Sequence, residues 1–103
     1  MNKTVCVILT TTDDKEIADK IAKKLVENDL AKCVQIDNIT SYFQWEGSTS
    51  VTSEFRLTIK ADAKNYQLIE KDIIENHNYQ LPQIIKFDIS GGYSRYLQWI
   101  EGK

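Results

Sequence analysis

The side chains of this sequence best suited to metal chemistry are one imidazole and two thiols. His77 is its only histidine, and Cys6 and Cys33 are its only cysteines. Imidazole nitrogens and thiolates bind transition metals, but such an ion normally takes three or four protein donors. Both cysteines lie in apolar runs, which favours free, buried thiols. His77 is therefore the one candidate ligand, and the alternative is a ring that hydrogen-bonds near a helix C-terminus.

A second group of polar and aromatic side chains is suited to binding a small ligand. An ammonium, a phenol and an imidazole together can hold a small anion or a carboxylate-bearing metabolite. Packing at an interface is the alternative for the aromatic side chains, because Trp and Tyr are enriched there. The candidates for such a cleft are Lys60, Tyr79, Trp45, Glu46 and Glu54.

The motifs of common enzymes are missing from the sequence. It contains no glycine-rich phosphate loop, no GxSxG motif, and no cysteine close in sequence to His77. The acidic pair at Asp13 and Asp14 is read most simply as helix-capping charge. We therefore expect no catalytic turnover, and a hydrolase that uses His77 is a remote alternative.

Length and charge predict one domain that covers residues 1–103. Hydrophobic residues make up 42% of the chain and charged residues 27%, which is typical of a globular protein. Thirteen basic and fifteen acidic side chains give a net charge of −2, so we expect no nucleic-acid partner. The apolar run near the N-terminus is too short for a signal peptide or a membrane span. We expect no membrane contact, and the cytoplasm is the default location.

The pattern of apolar residues predicts strands and helices in the order β, α, β, β, α, β, α. An apolar run from Thr4 to Leu9 is typical of a central strand. A helix from about Asp14 to Asn28 follows, and Asp13 with Glu16 resembles a capping box at its start.

A hairpin is predicted around a turn at residues 46–48. Residues 33–36 (CVQI) are typical of a strand, residues 39–45 (ITSYFQW) are rich in aromatic and β-branched side chains, and residues 54–61 alternate between apolar and polar. We expect Tyr42 to Trp45 to pair with Phe55 to Lys60, with the polar segment from Ser48 to Ser53 between them.

The second half of the chain predicts a helix, a strand and a final helix. Asp62 can cap the second helix, which ends near Asn76 and turns Tyr66, Leu68, Ile69 and Ile73 toward the sheet. A strand from Ile84 to Ile89 and a short helix from Ser94 to Glu101 follow.

This order predicts an α+β protein with a ferredoxin-like (split βαβ) antiparallel sheet. Two helices then lie on one face, with a short C-terminal helix. The first strand is apolar at both parities, since Val5, Val7 and Leu9 alternate with Cys6 and Ile8. An uncovered apolar sheet face is a candidate interface, so the pattern predicts an oligomer.

Five blocks of the sequence resemble the CutA family, the divalent-cation-tolerance proteins. They are LVENDLAKCVQI, ITSYFQWEG, FRLTIKA, HNYQLPQII and YLQWI, in the same order as in the family, and they cover nearly the whole chain. The resemblance implies a homotrimer of ferredoxin-like subunits, similar in architecture to PII signalling proteins. It also implies a role in the response to metal ions, with copper as the ion proposed for several members, and no agreed catalytic reaction.

The resemblance further implies three metal-ligand positions, which are a cysteine, a histidine and a glutamate in the family. In this chain they are Thr10, Asn76 and Gln83. A neutral hydroxyl and two amides are poor copper ligands, which leaves His77 as the candidate.

Two functions follow from the resemblance. The first is a homotrimer that responds to divalent cations. Its cofactor would be a divalent cation such as copper. The alternative is a PII-like small-molecule sensor or trimeric scaffold. That protein would bind a ligand at the cleft between subunits and a partner through the loop at residues 47–53.

Overall fold

The computed structural model describes residues 4–103 and contains a four-stranded sheet and three α-helices within them. The single domain over residues 1–103 stays a prediction, and its residues 1–3 lie outside the described range. None of the helices in residues 4–103 is long and apolar enough to cross a membrane. In chain order, the elements are β1 Val5–Thr12, α1 Lys15–Glu27, β2 Cys33–Trp45, β3 Ser48–Asp62, a 3₁₀ turn at Ala63–Asn65, α2 Tyr66–Asn76, β4 Ile84–Asp88 and α3 Ser94–Ile100.

The sheet has the strand order β2-β3-β1-β4, and every neighbouring pair is antiparallel. One face packs against α1 and α2 and forms the core, in which Ile8, Leu57 and Ile59 of the strands meet Ile21 and Ile73 of the helices. These residues are fully buried. The predicted ferredoxin-like fold is therefore confirmed.

The first strand is longer than predicted, because three threonines extend it to Thr12. Threonine is β-branched and suits an extended backbone. Thr10 and Thr12 lie opposite Leu57 and Phe55 of β3, and both threonines are fully buried. This extension carries β1 to within three residues of α1.

The predicted cap of α1 was wrong by one residue. The side chain of Asp14 accepts hydrogen bonds from the backbone N–H groups of Glu16 (2.9 Å) and Ile17 (3.3 Å). Asp13 instead accepts a hydrogen bond from the side chain of Asn78 (2.8 Å). Two adjacent aspartates offer the same local cap, and a contact distant in sequence separates their roles.

The hairpin exists, but its predicted pairing was wrong. Tyr42 lies opposite Val51, and Phe55 lies opposite Asn38, so the polar segment at 48–53 is part of β3 and not a loop. A two-residue turn at Glu46 and Gly47 sets this register, with φ angles of 49° and 80°. Positive φ at both positions is typical of a type I′ turn, whose twist matches that of the strands.

The remaining elements agree closely with the predictions, with one exception on α2. Asp62 caps the 3₁₀ turn before α2 by accepting from the N–H of Lys64 (3.0 Å). Ile69 and Ile73 are fully buried as expected, whereas Leu68 is 56% exposed and does not face the sheet. Leu68 precedes Ile69 by one residue, and this step along the helix rotates its side chain off the buried face.

The second sheet face is partly covered. Val7 and Leu9 lie opposite Phe87 and Ile85 of β4, which remain 49% and 45% exposed. Over β3, the hydroxyl of Tyr96 in α3 accepts a hydrogen bond from Lys60 (3.3 Å). The C-terminal helix thus reaches this face at one end, and exposed apolar side chains remain beside it.

Candidate functional site

An open groove of about 740 Å³ runs along the β2–β3 hairpin. Its floor is the hairpin face that carries Phe43, Thr52 and Glu54, whose side chains share one parity of the ladder. Its wall is the segment that follows α2, from Asn78 to Gln83. The long ladder of the hairpin therefore carries the groove beyond the helix-covered core.

A buried acid and a tyrosine meet at the inner end of the groove. The hydroxyl of Tyr79 donates a hydrogen bond to Oε2 of Glu54 (2.7 Å), and Glu54 is only 6% exposed. Burial, and next the bond to Glu54, raise the pKa of Tyr79 well above its ordinary value. The phenol therefore stays neutral at physiological pH and supplies a hydrogen-bond donor to the carboxylate.

His77 is the C-cap residue that follows α2, and both of its ring nitrogens form hydrogen bonds within the chain. Nδ1 accepts a hydrogen bond from the backbone N–H of Tyr79 (3.0 Å), so Nε2 carries the proton and donates it to the carbonyl of Thr11 (2.8 Å). This arrangement defines a neutral imidazole with one tautomer. A metal ion can bind His77 only where one of these two bonds is broken.

Asn78 ties the same segment to the end of β1. Its carbonyl oxygen accepts a hydrogen bond from the hydroxyl of Thr12 (2.6 Å), and its amide donates to Asp13 (2.8 Å). Together with the bond from His77 to Thr11, these contacts attach the groove wall to the central strand. The shape of the groove depends on them.

The three ligand positions implied by the resemblance lie in different surroundings. Thr10 is fully buried, and its hydroxyl has no hydrogen-bond partner among residues 4–103. The amide of Asn76 donates to the Asp72 carbonyl within α2 (2.7 Å). Gln83 is exposed at the groove. Across residues 4–103, no group of three or more His, Cys, Asp or Glu side chains is placed to hold a metal ion.

The two cysteines are free and lie on opposite faces of the sheet. Cys6 pairs with Ala61 and Cys33 with Lys60, so β3 separates the two strands that carry them. Two strand spacings are roughly 10 Å, too far for a disulfide. Burial raises the pKa of the Cys6 thiol, whereas Cys33 is only partly buried.

The structure separates the residues predicted to line one cleft. Glu54, Tyr79 and Trp45 line the groove, but Glu46 is exposed in the hairpin turn and is not among its lining residues. Lys60 lies six residues beyond Glu54 on β3, which is roughly 20 Å along a strand. Within a single chain, therefore, Lys60 does not join this site.

Sequence reasoning missed several residues that shape the groove. Asp13 was interpreted only as helix-capping charge, and Asn78 was not predicted as a site residue. Phe43 was predicted only as strand or interface packing. The carbonyl of Thr11 carries no sequence signal, because every residue has a backbone carbonyl. The two members of each hydrogen-bonded pair, Asp13 with Asn78 and Thr11 with His77, lie more than 60 residues apart in the chain.

The fold and the groove together define an α+β protein of the ferredoxin-like class whose hairpin projects beyond the core. A family model described as CutA1 divalent ion tolerance protein matches residues 6–103. The chain belongs to this family, which confirms the resemblance read from the five sequence blocks.

Relatives of known name and structure agree with this assignment. A CutA divalent-cation tolerance protein of Archaeoglobus fulgidus is 34% identical over 91% of this chain and 92% of its own length. The crystal structure of CutA1 from Shewanella sp. SIB1 superposes with a TM-score of 0.93 at 38% identity, covering 99% of this chain and 96% of that one. A chloroplastic CutA protein of Arabidopsis thaliana is 34% identical over 92% of this chain. The match covers 53% of the length of the Arabidopsis protein.

Proposed function

We propose that this protein acts as a homotrimer in the response to divalent cations and that it catalyses no reaction. The match of residues 6–103 to a family described by divalent ion tolerance carries the proposal. The hydrogen bond at Nδ1 of His77 supports the proposed lack of catalysis. The lone pair that a general base needs already accepts the N–H of Tyr79. The cytoplasm remains our proposed location.

Exposed apolar side chains support the trimer. Phe87 and Ile85 on the open sheet face are about half exposed, and Phe43 and Trp45 on the hairpin are 40% and 43% exposed. Large exposed apolar surface is unfavourable in water and typical of interfaces. Association of three copies would bury it.

Copper is the cation that we propose as effector, with His77 as its candidate ligand. The ion would have to displace either the Tyr79 N–H from Nδ1 or the Thr11 carbonyl from Nε2. Further donors would have to come from exposed groups or from a second copy, because this chain offers no other imidazole. We therefore expect copper to bind weakly, in competition with the contacts of the groove wall.

Growth under copper stress tests the role. A bacterial strain that lacks its own CutA protein should tolerate more copper when it produces this chain. A His77→Ala variant should lose the benefit if copper acts at the imidazole. Asn78→Ala is the matched control, since it disturbs the same segment and keeps the imidazole.

Two outcomes would contradict the proposal. Equal copper sensitivity with and without the wild-type chain, at matched expression, would exclude the metal-ion role. Full tolerance in His77→Ala, together with unchanged copper affinity in calorimetric titration, would remove His77 as the ligand and leave the wider role in place.

A further inference from the structure

We draw no further inference here: the strongest candidate, the buried pair of Glu54 and Tyr79 at the inner end of the hairpin groove, belongs to the site already described and lies on the sheet face that the proposed homotrimer buries, and nothing in the structure shows what covers it.

Discussion

Two tyrosines of this protein donate hydrogen bonds to carboxylates that they meet in different ways. Tyr66 reaches Glu70 one helical turn away (2.6 Å), whereas Tyr79 reaches Glu54 across the fold (2.7 Å). The first contact follows from i,i+4 spacing, and the second requires the hairpin and the segment after α2 to meet. Both contacts favour the neutral phenol, so both make the stability of the fold vary with pH in the alkaline range.

Tyr66 gives a pH prediction with a definite sign. The bond to Glu70, and next burial, raise the pKa of Tyr66 from 10.0 to about 12 in the folded state. A raised folded pKa means that the contribution to stability is complete below pH 10 and is lost as pH rises toward 12. The difference in unfolding free energy between wild type and Tyr66→Phe should therefore be constant below pH 10 and shrink above it.

Urea denaturation at a series of pH values on both sides of 10 measures this difference. Tyr42→Phe is the control, because Tyr42 is 75% exposed and makes no side-chain hydrogen bond among residues 4–103. A wild-type advantage over Tyr66→Phe that stays constant through the alkaline range would contradict the assignment.

At the scale of the elements, short local signals place the ends of helices and strands, and tertiary contacts choose between equivalent signals. The two-residue turn Glu46-Gly47 separates β2 from β3, because both residues adopt positive φ and reverse the chain. Glycine adopts such angles without strain, whereas glutamate does so at some cost. At α1, the local pattern allowed either of two aspartates as the cap.

The cap of α1 gives a prediction at this scale. Replacement of Asp14 by Ala removes the acceptor for the N–H groups of Glu16 and Ile17, and should lower the unfolding free energy by about 1 kcal/mol. Asp13→Ala is the matched control and should cost less, because Asp13 accepts its hydrogen bond from the side chain of Asn78 and not from a backbone N–H group of α1. Chemical denaturation of both variants measures the two losses, and a larger loss for Asp13→Ala would reverse our assignment of the cap.

At the scale of the whole molecule, the fold covers one sheet face with two helices and leaves apolar side chains exposed on the other. Phe87 and Ile85 are examples, at 49% and 45% exposure. Each large apolar side chain that becomes buried contributes roughly 1.5–3 kcal/mol before the entropic cost of association. Assembly should therefore supply a large share of the stability.

Thermal melting should depend on protein concentration for this reason. The midpoint should rise with concentration, because mass action favours the assembled state, and light scattering should report three chains per particle. Phe87→Ser should lower the midpoint and weaken the assembly. Leu68→Ser is the control on the helical side, where the side chain is 56% exposed and away from the open face. A monomer whose midpoint is independent of dilution would exclude the assembly.

The sequence by itself determined the order of elements, the ferredoxin-like class and the family. Hydrophobic periodicity and turn residues act over a few positions, so they can be read from a linear string. They placed α1 and β4 within one or two residues, and Asp62 as a cap. They failed for residues 48–53, because serine and threonine fit a loop or an exposed strand equally well.

Only the tertiary structure decided the chemistry of the groove. It joined Glu54 to Tyr79, occupied both nitrogens of His77, and moved Lys60 away from them. The physical reason is that hydrogen bonds and counter-charges depend on distances of a few ångströms between segments far apart in the chain. Local patterns contain no information on those distances, so the cleft expected to hold an anion is a groove whose buried acid, Glu54, accepts a hydrogen bond from Tyr79.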